Sequence, residues 1–401
     1  VMRRVELIDG LRGYFLVSML LTHLTFTGGY LLIYANHAQL GFVQDAQGFV
    51  FLSGLLVGAI YTRRMERDGF AAAAAKMWRR AFEIYLTMLA CLVAVMVLAL
   101  VLPGAETVWK PQLDRLLEPG MGAKIAALLL LYQPSFFDIL PQYIIYLAVA
   151  PPLLWLCLTG RGGAVVIGAA VVWLAVQLGL DSPAVAALDG MLAAWQPGLT
   201  TRTVFNPLGW QVIFFAAMPI GVAWARRRLD LDAWFAPDRR GPVLLALGVV
   251  LFFMAWRLGF TFGLVPDPVT GIFRIFENRP EFSVVFLANF VALGYLVAWV
   301  LIVGDRAGSR IVSAAAAALS WFFGLAFFRL LGRHSLQVYA WHVILVYLVI
   351  YTDLTFGPFG ELAKTAIAVA AIALLPLPAL LKERWRSAME RRTAVRPVTE
   401  T

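Results

Sequence analysis

The ionisable residues within or beside the first two apolar segments of the chain include Arg12, His23 and Asp45. Arg12 and His23 are eleven positions apart. On a helix this spacing comes to within about 20° of three full turns, so both side chains share one face, about 16 Å apart. Ionisable residues inside a membrane are costly and usually face a protein interior or a water-filled cavity. A functional role for His23 is therefore predicted; the alternative is a buried neutral histidine bonded to a backbone carbonyl.

Asp45 supplies the carboxylate that such a histidine needs. The loop at 33–43 is short, so it brings the start of the second apolar segment back beside the outer end of the first. A carboxylate next to an imidazole fixes its tautomer and stabilises the imidazolium that forms when it takes a proton. We therefore predict His23 as a general base and Asp45 as the residue that orients it.

The elements that position these residues are apolar helices. The chain has 401 residues, of which 61% are hydrophobic and 14% charged, with a mean hydropathy of +0.79. A soluble domain would be about 25% charged. Apolar segments of about 20 residues recur along the whole chain, which predicts an all-α polytopic integral membrane protein. About ten transmembrane helices are expected, near 10–32, 44–62, 78–102, 140–159, 162–180, 206–225, 242–263, 283–304, 334–352 and 361–381.

Two further apolar segments, 122–133 and 313–328, do not fit this scheme and are predicted to be short re-entrant or interfacial helices. In the second transmembrane segment, Gly54 and Gly58 have the spacing that lets a membrane helix pack closely against a partner. Ser53 beside them is interpreted as an interhelical hydrogen-bonding residue. No soluble domain is indicated, so we predict one transmembrane domain over 1–385 and a short cytoplasmic tail over 386–401.

The net charge of +9 reflects membrane topology. Arginines cluster in short stretches between apolar segments, which is the signal that marks cytoplasmic ends of membrane helices. The predicted spans place all of these stretches on one side and both termini in the cytoplasm. No nucleic-acid partner is predicted. The stretches lie at 3–4, 62–69, 76–80, 225–232 and 382–392.

The loops predicted on the outer side, 102–120, 180–203 and 265–282, interleave aromatic residues with Asp, Glu, Arg and Asn. Such groups suit a carbohydrate, whose ring faces stack and whose hydroxyls need donors and acceptors; the alternative is an interfacial aromatic belt. Asp138 and Asn206 each lie just before an inward-running span, where they are either acceptor contacts or simple helix caps. His334 and His342 are about 80° apart around a helix, which makes them a poor metal pair, and no metal site is predicted.

The motifs resemble a known group of enzymes. The opening "LIDGLRGYFLVSMLLTH" resembles the start of transmembrane acyltransferases of the acyltransferase-3 clan, and "LGRHSLQVYAWH" at 331–342 resembles a late segment of that clan. Within the clan, the chain is most similar to the OpgC family, which succinylates osmoregulated periplasmic glucans. That similarity extends from residue 6 to about residue 350 and rests on motifs in the family's order, "THLTF", "QDAQGFVFLSG", "LLLYQPSFFDILPQYIIYLAVAPPLLWL", "FNPLGWQVIFFAAMPIG" and "LGRHSLQVYAWHVILVYL".

The resemblance implies transfer of an acyl group from acyl-CoA, most readily succinyl-CoA, to a sugar hydroxyl across the bacterial inner membrane. His23 matches the clan's catalytic histidine, Arg12 its preceding basic residue and Asp45 the aspartate of the second helix. The sequence departs from the family at Thr22, where Asn is frequent, and at Gln47, where an acidic residue is common.

The remaining candidates are assigned by chemistry. A thioester is already activated, so the enzyme needs a base and donors for the developing oxyanion, for which Thr22, Gln47 and Tyr143 are candidates. Direct transfer and an acyl-imidazole on His23 both remain open. Acceptor contacts are predicted for Asp138, Asn206 and Gln211. His342 is predicted as a further substrate contact, and Arg12, Arg79, Arg80 and Arg333 as partners of the coenzyme A phosphates.

Two other functions compete with this prediction. One is an acetyltransferase that acts on another polysaccharide or on a glycolipid. The other is a proton-coupled secondary transporter, for which inverted repeats with broken helices at matching positions would be the signature. No such symmetry is visible in the sequence. The predicted partners are acyl-CoA, a periplasmic glucan or related saccharide, and the lipid bilayer; the sequence gives no oligomeric state.

Overall fold

The computed structural model of the chain describes residues 2–394, and these residues are predominantly helical. The described part contains no β-strand, and one isolated bridge pairs Tyr132 with Arg202. The predicted all-α class is confirmed. The helices are α1 (Met2–His23), α2 (Asp45–Val101), α3 (Ala105–Val108), α4 (Lys110–Leu113), α5 (Gly122–Leu128), α6 (Ile139–Leu156), α7 (Gly162–Gln177), α8 (Ser182–Trp195), α9 (Pro207–Ala225), α10 (Leu231–Trp234), α11 (Arg240–Thr261), α12 (Asp267–Phe276), α13 (Val284–Val303), α14 (Arg310–Phe323), α15 (Ala326–Arg333), α16 (Ser335–Phe356), α17 (Glu361–Leu374) and α18 (Leu377–Ala394).

Among the described residues, seven helices are long and apolar enough to cross a membrane, or eight if α14 and α15 together form one broken span. The predicted count of about ten is not confirmed. Two of the seven each cover two predicted spans: α2 covers 44–62 and 78–102, and the continuous stretch Ile139–Gln177 covers 140–159 and 162–180. Glycines in the left-handed region interrupt both stretches, with φ of 84° at Gly69 and 85° at Gly160.

The first predicted span, 10–32, also differs from the structure. Helix α1 begins at Met2 and ends at His23, and it is not among the seven apolar helices. Beyond it, Gly28 and Gly29 have φ of 78° and 76°, a conformation that turns the chain instead of continuing a helix. The helical pattern of the sequence therefore overran the true end by nine residues, and His23 is the last residue of α1.

The two segments that resisted the span prediction are irregular in the structure as well. The first, 122–133, contains only the seven-residue helix α5. The second, 313–328, contains parts of α14 and α15, which are bent by 56° at a short break, the geometry of a broken span or a re-entrant loop.

The described residues fall into two compact units, one formed by residues up to Leu32 together with residues from Trp321 onward, and one formed by Ile33–Ser320. The single domain predicted over 1–385 stays a prediction. The predicted tail at 386–401 overlaps the end of α18 as far as Ala394. Residues 395–401 lie outside the described part of the chain.

In the first unit, α1 packs closely against α15. Glycines allow this contact, because a Cβ at Gly13 would lie 1.9 Å from the carbonyl oxygen of Phe328, and one at Gly332 would lie 1.8 Å from that of Asp9. Neither position has room for a methyl group. The Tyr14 ring adds edge-to-face contacts with Phe322, Phe323 and Phe328 at centroid distances of 5.8, 5.5 and 6.1 Å.

In the second unit, α2 packs against α9 through Gly54, Gly58 and Gly221. A Cβ at any of them would lie 2.1–2.2 Å from a carbonyl oxygen of the facing helix. The predicted close packing of Gly54 and Gly58 against a partner helix is confirmed. The interhelical hydrogen bond predicted for Ser53 is wrong: its hydroxyl is fully buried and has no hydrogen-bond partner among the described residues.

Candidate active site

The first unit joins the two histidines of the sequence motifs. Nδ1 of His23, at the end of α1, lies 3.1 Å from Nε2 of His342 on α16. The two rings are stacked, with centroids 5.3 Å apart and planes at 28°. His342 is fully buried, whereas His23 is half-buried. His342, which was predicted to contact the substrate, therefore contacts the predicted base, His23.

The hydrogen bonds of His342 determine which nitrogen of His23 is basic. Nδ1 of His342 contacts the carbonyl oxygen of Tyr339, which can only accept, so this nitrogen carries a proton. In the neutral ring, Nε2 of His342 is then an acceptor, and Nδ1 of His23 donates to it. A neutral His23 in this tautomer carries its lone pair on Nε2, the atom that would take a proton from a substrate hydroxyl.

A second contact between the same two helices involves Arg12, whose Nη2 donates to Oγ of Ser335 at 2.6 Å. Both Arg12 and His23 thus face α16, which confirms that they share one face of α1. Because Ser335 precedes His342 just as Arg12 precedes His23, the two helices run parallel. Arg12 and His23 are about 16 Å apart along α1, whereas their partners on α16, Ser335 and His342, are only about 10 Å apart along that helix. The long arginine side chain spans the difference.

The loop that follows His23 is held by charged side chains that sequence reasoning did not single out. Asp353, at the end of α16, accepts from the backbone N–H and the hydroxyl of Thr27 at 2.7 and 2.8 Å. Nζ of Lys364 on α17 donates to the carbonyls of Thr27 and Gly29, both at 2.7 Å. Asp353 and Lys364 are only 2% and 7% exposed. Ionisable residues buried in apolar helices are the sequence signal that would have found both.

The other residues predicted to contact the oxyanion or coenzyme A in this part of the chain lie near the helix surfaces. The Thr22 hydroxyl donates to the Ser18 carbonyl one turn earlier in α1. Arg333 lies 3.8 Å from Glu383, which also contacts Nε2 of His334 at 3.2 Å. In the second unit, Arg79 and Arg80 are paired with Glu83 on α2. Their predicted contacts with coenzyme A stay predictions.

Asp45 begins α2 in the second unit and is 3% exposed. Its carboxylate lies 3.7 Å from Nδ1 of His37 in the preceding loop. Burial lowers the pKa of His37, and the charge of Asp45 opposes that change. Gln47 is fully buried; its side-chain nitrogen donates to the Phe42 carbonyl and its oxygen accepts from the backbone of Gln44, so it caps the helix.

The predicted acceptor residues of the second unit make contacts that also suit a structural role. Asn206 caps α9 through Leu208 N–H, and its amide nitrogen donates to Asp181 and Glu281 at 2.6 and 2.7 Å. Gln211 donates to the carbonyl of Ala169, and the Tyr143 ring packs edge-on against Phe214. Asp138 precedes α6 and is 7% exposed; burial raises its pKa to about 7, against the opposing charge of Arg279.

Comparison with known proteins decides the family. A family model described as OpgC protein matches residues 3–387, nearly the whole chain. The chain belongs to the OpgC family. No curated protein and no solved structure matches it. OpgC membership implies a membrane acyltransferase whose acceptor is a periplasmic glucan, and the apolar helices agree with a multi-pass membrane protein.

In this OpgC protein, the motif histidines of the family resemblance, His23 and His342, lie in contact although they are 319 residues apart in the chain. Arg12 and Ser335, which come from the same two motifs, are also in contact. The motifs at the two ends of the matched region therefore meet in one unit.

Proposed function

We propose that this OpgC protein transfers a succinyl group from succinyl-CoA, bound from the cytoplasmic side, to a hydroxyl of a periplasmic glucan, with His23 as the general base. The inner membrane is the proposed location, with both termini in the cytoplasm. The contact between Nδ1 of His23 and Nε2 of His342 is the observation that carries the proposal. It supports a tautomer of His23 whose Nε2 is a proton acceptor.

In the proposed reaction, Nε2 of His23 takes the proton of a glucan hydroxyl while the hydroxyl oxygen attacks the thioester carbonyl. The carbon–oxygen bond forms, the oxyanion collapses, and the carbon–sulfur bond breaks. The imidazolium then gives its proton to the departing sulfur of coenzyme A, so the base is regenerated. His342 keeps accepting from Nδ1 of His23 throughout and holds the ring in place. An acyl-imidazole intermediate on His23 is the alternative route, and it gives the same overall reaction.

The other predicted residues take supporting roles in the proposal. Arg12 is half-buried beside Ser335 and is assigned to a phosphate of coenzyme A, which a guanidinium can bind through two hydrogen bonds. Thr22, Gln47 and Tyr143 remain the proposed oxyanion donors. The orienting role of Asp45 stays a prediction from the sequence.

A panel of acyl-CoA thioesters tests the proposal. The purified chain would be given each thioester with and without periplasmic glucan, and thiol release and glucan mass would be recorded. We expect glucan-dependent thiol release with succinyl-CoA and a glucan product heavier by succinyl groups. Glucan-dependent release with acetyl-CoA alone would reject succinyl as the acyl group. Consumption of no thioester with any glucan would reject coenzyme A as the donor.

His342 is proposed to position His23, so its replacement is expected to affect turnover and not binding. His342→Leu removes the acceptor for Nδ1 of His23, and loss of the correct tautomer is expected to lower kcat about 10²-fold or more. His342→Gln keeps an amide oxygen that can accept this proton, so it should restore part of the rate. Steady-state kinetics with varied succinyl-CoA and glucan provide the measurement, and KM for both should stay near the wild-type value.

Asp45→Asn is the comparison for the His342 variants. If Asp45 orients the base as predicted, it too will lower kcat at unchanged KM. A wild-type kcat in His342→Leu would remove His342 from the proposal, whatever Asp45→Asn does.

A further inference from the structure

The segment 279–282 of the second unit has an unusually well-anchored backbone. Each of its four carbonyls accepts a hydrogen bond from another part of the unit, so the segment is held in one conformation without any contribution from the side chain of Arg279. The donors are the Trp210 indole to residues 279 and 280, the Asn206 N–H to residue 280, the Gln177 amide to residue 281 and the Trp173 indole to residue 282.

Arg279 itself is a rigidly presented cation without a bonding partner. Its guanidinium carbon lies 5.0 Å from the centroid of the Phe205 ring. The guanidinium forms no ion pair or hydrogen bond with the described side chains or backbone, and its buried Nε has no partner. Buried polar groups of a folded protein are normally hydrogen-bonded, so Arg279 has donor capacity available for a bound ligand.

Two acceptors with unused capacity belong to the same neighbourhood. Asp138 and Gln142 are 7% and 1% exposed, and each has one side-chain oxygen without a hydrogen-bond partner. They are four positions apart at the start of α6, so they share a helix face. Gln142 donates to the carbonyl of Phe205, the residue whose ring lies under Arg279. The charge of Arg279 also acts on Asp138 and on Asp45.

We propose that Arg279, Asp138 and Gln142 form a subsite that binds the hydroxyls of the saccharide acceptor. The inference rests on the proposed function for the identity of that acceptor, a periplasmic glucan. Each sugar hydroxyl both donates and accepts, and it can therefore bond to a guanidinium donor and to a carboxylate or amide oxygen at once. Arg279 was not among the residues predicted from the sequence.

The charges argue for a neutral polyhydroxylated ligand over an anion. Asp138 and Asp45 both lie within electrostatic range of Arg279. A carboxylate or phosphate at the guanidinium would gain one attraction but meet the charge of Asp45 and, above about pH 7, that of Asp138. A sugar hydroxyl has no net charge, so it uses the same donor without that repulsion.

Direct binding of glucan tests the subsite without any acyl transfer. Full-length protein in detergent would be titrated with periplasmic glucan in the absence of acyl-CoA, by calorimetry. Arg279→Gln removes the guanidinium and is expected to weaken glucan binding about 10-fold or more, since the bound sugar hydroxyls lose their charged donor. Arg279→Lys keeps the positive charge but lacks the planar guanidinium. Its glucan affinity should therefore lie between those of wild type and Arg279→Gln. The matched control is Arg274→Gln, an exposed arginine on the preceding helix α12, with unchanged affinity expected.

The ionisation of Asp138 gives a second readout. With a pKa of about 7, Asp138 is neutral below that pH and a carboxylate above it. The charged groups that face it are Arg279 and Arg202, and Asp45 acts through Arg279. Because an ionised acceptor forms the stronger hydrogen bond, glucan affinity should rise as pH rises through about 7. Asp138→Asn should remove this pH dependence of glucan affinity. A thermal-unfolding measurement should show that the variant is still folded.

Each outcome separates the subsite from the proposed function. Equal glucan affinity in wild type and Arg279→Gln overturns the subsite, as does a wild type that binds no glucan. Arg279-dependent binding of succinate or inorganic phosphate with unchanged glucan binding overturns the choice of a neutral ligand. If glucan binding depends on Arg279 but no acyl-CoA is consumed, the subsite stands and the proposed transfer fails.

Discussion

Replacing His23 with alanine is expected to lower the rate of glucan acylation by about 10²–10⁴-fold, the range of a general base. His342 is not expected to take its place, because it already uses Nδ1 for the Tyr339 carbonyl and Nε2 for His23. The measurement is succinyl-CoA-dependent incorporation into glucan, followed by mass, under saturating concentrations of both substrates. Binding of each substrate should be retained, since the ring is assigned to proton transfer.

Thr25→Ala is the matched control for His23→Ala. Thr25 lies two residues further along and is exposed, and its replacement should leave the rate unchanged. Equal activity in wild type and His23→Ala would remove His23 as the base and direct attention to Asp138. An acylated histidine trapped on wild-type protein, and missing from His23→Ala, would favour the covalent route over direct transfer.

Replacing Gly54 with valine is expected to destabilise the second unit more than any surface change. The new Cβ would lie 2.1 Å from the carbonyl oxygen of Phe214, and the flanking contacts at Gly58 and Gly221 are equally tight. Helices α2 and α9 would have to separate along this line, at an expected loss of about 1–3 kcal/mol or more in the free energy of unfolding. Thermal unfolding of the protein in detergent gives the measurement, as a lower midpoint for Gly54→Val.

Gly248→Val provides the comparison for Gly54→Val. Gly248 is exposed on α11, and nothing lies within 4 Å of the Cβ position. The same substitution in the same kind of helix therefore adds no clash, and only a small change in the midpoint is expected. Equal midpoints for Gly54→Val and Gly248→Val would show that α2 and α9 do not pack as closely as described.

Features that depend on neighbouring residues could be predicted from the sequence. The period of the helix places Arg12 and His23 on one face, and both do contact α16. The spacing of Gly54 and Gly58 predicts a close helix contact, because only the absence of a Cβ lets backbones approach so far. The apolar segments predict an all-helical membrane protein, and family motifs predict OpgC membership, which the match over 3–387 establishes.

The exact ends of the helices could not be predicted from the hydrophobic pattern. That pattern continues past His23 to Leu32, but α1 ends at His23, and the left-handed glycines 28 and 29 turn the chain beyond that end. It also breaks around residue 69, where the helix is interrupted by one glycine and still continues to Val101. Hydropathy indicates whether a segment can lie in a lipid bilayer, whereas the backbone angles of single residues determine where a helix ends.

The partners of the functional residues come from distant parts of the chain. His342 meets His23 across 319 residues, and Asp353 meets Thr27 across 326. Segment 279–282 acquires its anchors from α7 and α9. No local pattern encodes these contacts, because they depend on how helices that are far apart in sequence pack side by side. The residue types and their local spacing indicate which side chains could do chemistry, whereas helix packing sets which of them meet.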